Sequence, residues 1–321
     1  MPVMTSSSPT KPTDPAPLAG DENKPQPHFL TEGYSSIPKE DLDFVREQTG
    51  IKDEDVLRQH IFDVQAEALS VHPYKYIKVF AFVKMKLSHD MPGYSALLKL
   101  GREREGAILL DIGCCRAQIA CNHIKAVSDG FPVENCVATD IHPEFWDFGH
   151  RLFKSTQETF PARFFAGDVF NPEHLETVPP FTSPPTTPRP HLPTLNCLNP
   201  LRGHVSAIHI SAVFHLFGEE QQVRLAHSIA GLLSPEPGSI IFGMQSGRAE
   251  KGFRVEAGRP TSHGGQMFCF SPETWREMWE NVFPKGTIRV DANLKEVERP
   301  DLKPVSEDAR FWLLTWCVTR L

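Results

Sequence analysis

Apolar residues recur at helical intervals from Leu42 to about Leu100, then give way beyond Arg104 to short apolar runs separated by amphipathic stretches. In the first region DLDFVREQTGI spaces Leu42, Val45 and Thr49 for one helix. KDEDVLRQHIFDVQAEAL brings Val56, Leu57, His60, Ile61 and Val64 to one side of another. KYIKVFAFVKMKL and GYSALLKLGRE read as further helical segments, so 31–105 is expected to be an N-terminal helical cap. Residues 1–30, rich in Pro, Ser and Thr, bury too little apolar surface to repay ordering and are expected to be a disordered tail.

From Ala107 onward the period switches. Strands are predicted near 107–111, 136–140, 162–166, 205–211, 238–244, 286–292 and 311–318, with helices near 116–128, 143–155, 218–233 and 271–282. Alternation of this kind implies parallel pairing and an α/β sheet with helices on both faces over 106–321. Phe170 to Gly203 breaks the rhythm with nine prolines. An irregular, exposed insertion is expected at 171–203, either a plain loop or a substrate lid.

Composition narrows the class more than it names it. Thirty-three Lys and Arg against 40 Asp and Glu, a net charge of −7, offer no basic surface for nucleic acid. No apolar run is long enough for a bilayer span, and MPVMTSSSPTKPTDPAP lacks a signal-peptide core. Seven cysteines without framework spacing suit a reducing compartment, so a cytoplasmic location is expected. The oligomeric state stays open, a homodimer included.

Three of the apolar runs end in acids: LLDIG at Asp111, VATD at Asp140 and FFAGDV at Asp168. Gly113 follows the first, giving a turn whose backbone can approach a ligand closely. Of a longer glycine fingerprint only this glycine is present, since Cys115 and Ala117 occupy the later positions. The absence of a following Gly-Lys-Ser/Thr excludes a P-loop. An acid at the end of a second strand can accept two hydrogen bonds from ribose hydroxyls, or cap the helix that begins near Pro143. Asp168 can accept from an adenine amino group beside Val169, or serve as a turn acid. Together the three describe a nucleoside site.

The segments LLDIGCCRAQIA, ATDIHPEFWDFG, FFAGDVFNP, SAVFHLFGEEQQ, GMQSGR and FSPETWREMWENVF resemble fungal class I S-adenosylmethionine-dependent methyltransferases of secondary metabolism, of the meroterpenoid-pathway O-methyltransferase type. The resemblance spans about 100–285. It implies a Rossmann-like, seven-stranded, mostly parallel sheet whose last strand is antiparallel, with S-adenosylmethionine as cofactor. It also implies transfer to a carboxyl or hydroxyl oxygen of a small molecule. The cofactor-binding candidates are then Asp111, Gly113, Asp140, Ile141, Asp168, Val169 and Ser211. A catalytically silent partner subunit of the same fold, or an NAD(P)-dependent oxidoreductase, are the competing readings.

His215 follows the fourth strand and either orients an acceptor oxygen, takes its proton, or packs beside Phe214 and Phe217. Gln245, placed after strand five, and His263, in RPTSHGGQ, complete the catalytic candidates. Arg248, Arg254 and Arg259 suit a carboxylate or plain solvation, and Tyr34, Tyr74 and Tyr76 suit the substrate side or packing. No metal is expected, because neither paired C-x2-C nor H-E-x-x-H spacing occurs.

Overall fold

A computed structural model describes residues 33–85, 87, 90–114, 121–257, 266–299, 302 and 304–321. The expected tail at 1–30 lies outside them, as do Cys115 to Ala120, Arg259 and His263. Four helices come first: α1 (Lys39–Thr49), α2 (Glu54–Val71), the single turn α3 (Lys75–Lys78) and α4 (Tyr94–Glu103). Asp53 caps α2 by accepting from the Val56 amide, and Gly50 closes α1 in the left-handed region at φ 70°. The buried face of α2 is Leu57, Ile61, Val64 and Ala68, with Val56 turned to solvent. KYIKVFAFVKMKL is not the helix its pattern suggested. From Val79 to Lys84 it forms a series of turns, with Phe80 at φ 55° and both Phe80 and Phe82 fully buried. An aromatic and β-branched run loses helix propensity when tertiary burial competes for its side chains.

The sheet contains β1 (Leu109–Ile112), β2 (Cys136–Asp140), β3 (Arg163–Ala166), β4 (Ala207–Ile210), β5 (Ile240–Gly247), β8 (Ile288–Glu296) and β9 (Trp312–Arg320). Its order is β3-β2-β1-β4-β5-β9-β8, and only β9 runs antiparallel to its neighbours. A two-stranded ribbon, β6 (Gly252–Phe253) with β7 (Phe268–Cys269), stands apart. The helices between strands are α5 (Cys121–Ser128), α6 (Glu144–Phe153), α7 (Glu219–Ala230) and α8 (Pro272–Val282). A Ser271–Thr274 capping box starts α8.

Alternate strand residues feed two cores. Leu109, Ala138, Ala207 and Phe242 join α1, α2, α4, α5 and α6 on one face. Leu110, Val137, Ile208 and Ile241 join α7, α8 and the buried indoles Trp275, Trp279 and Trp316 on the other. The N-terminal helices share the first core, and α2 packs directly on α6. His60 Nε2 lies 2.9 Å from the Leu152 carbonyl, and Glu67 pairs with Arg151.

The 171–203 segment is irregular, and most of its residues are exposed or half-buried, but it is also anchored to the core. It holds only two single 3-10 turns, yet Leu175, Leu192, Leu195, Leu198 and Leu201 are buried in the second core. Each buried leucine contributes about 2 kcal/mol of transfer free energy. Arg189 donates to the Gly106 carbonyl at 3.2 Å and to Asn135 Oδ1 at 2.7 Å, both just before β1 and β2. Arg320, at the end of β9, donates to the Phe181 carbonyl at 2.9 Å. Arg189 and Phe181 therefore brace the rim opposite the carboxyl ends of the parallel strands. Leu192, Leu195, Leu198 and Leu201 recur every third residue, a spacing that drifts off a 3.6-residue helix face and does not alternate like a strand, so the sequence pattern concealed their burial.

Candidate functional site

The chain leaves β1 toward β2 on one side, and β4 lies on the other, so the sheet order reverses between β1 and β4. Open α/β sheets bind ligands beyond the carboxyl ends of strands at such a switch point. Gly113 occupies that position at φ 72°, and a Cβ there would stand 2.4 Å from Val213 Cγ2, across the crevice on the β4 side. Glycine is required twice, for the left-handed turn and for the close approach.

The three turns are stitched in a row. The Gly113 amide donates to the Thr139 carbonyl at 2.9 Å, and the Gly167 amide donates to the Asp140 carbonyl at the same distance. Beneath them His174, buried, lies 3.1 Å by Nε2 from Thr139 Oγ1. Its ring fills the space of a Gly167 side chain, since a Cβ there would stand 2.0 Å from Nδ1. Burial draws the His174 pKa below its ordinary value, against the opposing charge of Asp168.

Asp140 is buried at the end of β2, with Oδ1 accepting the His142 amide at 3.0 Å. It is not the cap of α6, whose N-cap is Pro143 without a side-chain bond. Ile141 beside it is 58% exposed, an apolar surface on the rim. Asp168 is exposed, its Oδ1 accepting the Phe170 amide at 2.9 Å, and Val169 is half-buried against the second core. Phe170 meets Phe217 edge-on at 4.8 Å and lies under the Arg224 guanidinium.

Asp111 is placed differently from its companions. It is buried within β1, and Oδ1 lies 2.8 Å from His209 Nδ1. Oδ2 lies 3.4 Å from His123 Nδ1, within ion-pair reach though not aligned as a hydrogen bond. A carboxylate only accepts, so His209 Nδ1 carries a proton. Its Nε2 lies 2.8 Å from Ser211 Oγ, which accepts the Met244 amide at 3.1 Å. Asp111 and Ser211, both expected beside the cofactor, are thus joined to each other through His209. Burial lowers the His123 pKa, opposed by Asp111. His123, His174 and His209 were not picked out by sequence reasoning. Asp111 and His209 stand opposite each other in the β1–β4 register, and a histidine inside the apolar run SAIHIS was the available signal.

Beyond Ser211, Ala212 adopts φ 58°, a strained left-handed conformation for a residue with a side chain. Its amide donates to the Met244 carbonyl at 2.7 Å. His215 follows in a 3-10 turn (Phe214–Leu216), half-buried, with Nδ1 accepting the Ser246 amide at 3.2 Å. With Nδ1 accepting, the proton of a neutral ring lies at Nε2.

Gln245 lies within β5, not after it, because pairing with β9 carries the strand to Gly247. It is 2% exposed beside Leu314, and neither amide atom has a hydrogen-bond partner among the described residues. Next along β5, Ser246 and Gly247 line a cavity of about 230 Å³ with Arg254, Glu256, Arg299 and Arg310. Arg248 is committed to Glu256 at 2.9 Å. Tyr34 packs edge-on to Phe62 and Phe80, away from the crevice, and burial raises its pKa. Tyr74 stacks between His72 and Tyr76, and its hydroxyl lies 3.2 Å from His142 Nε2, two residues beyond Asp140.

Comparison with known proteins now decides the family. A model of the meroterpenoid methyltransferase N-terminal domain matches residues 29–83. The O-methyltransferase phiE of a fungal species is 30% identical over 238 residues, covering 73% of this chain and 68% of phiE. The chain belongs to this fungal O-methyltransferase family. Its members include the asnovolin E/chermesin D methyltransferase nvfJ of Aspergillus novofumigatus, 24% identical over 93% of this chain and 89% of nvfJ. The O-methyltransferase atr3 of Stereocaulon alpinum is 28% identical over 79% of this chain, which spans 60% of atr3. Among solved structures, an S-adenosylmethionine-dependent methyltransferase from Mesorhizobium loti aligns with 71% of this chain and 97% of its own. The identity is 15% and the TM-score 0.41.

Proposed function

We propose that this methyltransferase moves a methyl group from S-adenosylmethionine to a carboxyl or hydroxyl oxygen of a small secondary-metabolite-type molecule. The observation that carries the reading is the row of turns after β1, β2 and β3, where hydrogen bonds of 2.9 Å hold Gly113, Asp140 and the Gly167–Asp168 turn side by side at the switch point. The donor set fits the cofactor. Gly113 presents a side-chain-free turn to its amino-acid end, the buried Asp140 carboxylate suits vicinal ribose hydroxyls, and Asp168 with Val169 suits an adenine edge and face. When bound, the cofactor supplies an electrophilic methyl that needs no further activation.

The chain's own contribution is alignment and exclusion of water. Val213 and the strained Ala212 form the wall of the crevice on the β4 side, and His215, in the turn that follows, is the side chain assigned to orient the acceptor oxygen. A carboxylate acceptor is already ionised near pH 7 and needs only this orientation. Calorimetric titration with S-adenosylmethionine tests the cofactor: saturable binding lost in Asp140→Ala supports the reading, and no binding by the native chain favours a silent partner subunit. Incubating a host extract with isotope-labelled cofactor, followed by mass spectrometry, identifies the acceptor by a gain of one methyl.

A further inference from the structure

We propose that His72, His142 and Glu144 form a zinc site that ties the N-terminal helices to the turn between β2 and α6. One ligand atom from each residue lies within 4.8 Å of the others. His72 is the residue on which α2 ends, His142 lies two residues beyond Asp140, and Glu144 opens α6. The two imidazole rings stand 4.4 Å apart at 54°. Two neutral imidazoles at this separation can each offer a nitrogen to one metal ion.

Two neutral imidazoles and a carboxylate are a donor set that zinc takes in sites keeping water at the fourth position. Imidazole donors select zinc over magnesium or calcium, which prefer oxygen alone. Zinc–ligand bonds of about 2.0–2.2 Å require ligand atoms roughly 3.5 Å apart. Glu144 is exposed on the first turn of its helix, so rotation of its side chain closes the remaining distance. Metal-bound imidazoles are oriented by an outer partner; with Nδ1 of His142 given to the metal, the Tyr74 hydroxyl, 3.2 Å from Nε2, is placed for that role. Phe145, fully buried, lies 5.4 Å from the His72 ring and walls one side. The ligands come from segments 70 residues apart, so no local spacing motif could reveal them.

The site bears on the turn beside it. The His142 amide already holds Asp140 Oδ1 at 3.0 Å, so a metal on the His142 ring fixes the loop that orients Asp140. Metal uptake itself can be measured whether or not Asp140 holds a ribose.

The test uses the full chain, stripped with a chelator and dialysed, then titrated with zinc chloride by calorimetry and with Co²⁺ by visible absorption. One equivalent of saturable uptake is expected. His72→Ala and Glu144→Gln should each weaken it by about tenfold or more, with circular dichroism verifying the fold. Should His72→Ala fail to fold, Glu144→Gln, at an exposed position, decides alone. His150→Ala, in the separate groove that also holds His60, should leave affinity unchanged. Absence of saturable uptake, uptake insensitive to Glu144→Gln, or loss in His150→Ala overturns the proposal.

Discussion

Asp111 Oδ1 and His209 Nδ1 meet at 2.8 Å across the register of β1 and β4, inside the sheet that carries the crevice. The pair locks the two strands whose divergence creates the site. His209→Ala leaves the Asp111 carboxylate buried without its best donor and should cost about 3 kcal/mol in denaturant unfolding. A loss below about 1 kcal/mol would show that His123 alone suffices to hold the acid.

Gly113→Ala should abolish cofactor binding and destabilise the fold by roughly 2 kcal/mol, since it imposes a left-handed Ala and an overlap with Val213. Gly113→Ala combined with Val213→Ala removes the overlap but keeps the backbone strain. Partial recovery in calorimetry is expected; full recovery would mean that the positive φ costs nothing.

Acid should weaken the protein. His123 and His174 are both held below the ordinary histidine value by burial, opposed respectively by Asp111 and Asp168. In the unfolded chain each takes up a proton as pH falls through about 6.5, while in the folded chain each resists. Stability is therefore fully present above that value and lost progressively below it. Urea midpoints at pH 7.5 and 5.5 measure the slope, and His174→Gln should reduce it.

His215→Ala should lower kcat/KM by roughly ten- to thirtyfold, the loss of one orienting hydrogen bond worth about 1–2 kcal/mol. His215→Gln should recover part of it. A loss beyond about a thousandfold on the true substrate would point to a proton-accepting role for this residue.

Gln245→Met should raise the stability of the ligand-free protein by about 1 kcal/mol, because the native amide is buried without a partner. The same change should raise KM for the acceptor if the amide is satisfied by substrate. A destabilised variant would instead point to ordered water filling that role.

The fold was legible where one period dominated. β2 falls on the predicted 136–140 and β3 within one residue of its predicted start, because each is a short apolar run bounded by polar turns. The 75–87 run failed because Phe80 and Phe82 are governed by distant neighbours, Tyr34 and Phe62 among them. The ribbon pairing Gly252 with Cys269 has strands too short to leave a pattern. At the site, Gly113, Asp140 and Asp168 could be read because strand ends announce themselves. His123, His174 and His209 could not, since a buried histidine has no local signature and takes its role from a partner far along the chain.

Arg189 and Arg320 secure the floor of the sheet without using any residue at its upper rim. Substitutions at exposed rim residues such as Ile141 and Asp168 leave these floor contacts intact. The two ends of the sheet are thus held by separate sets of bonds, Arg189 and Arg320 below and the Gly113 and Gly167 amides above.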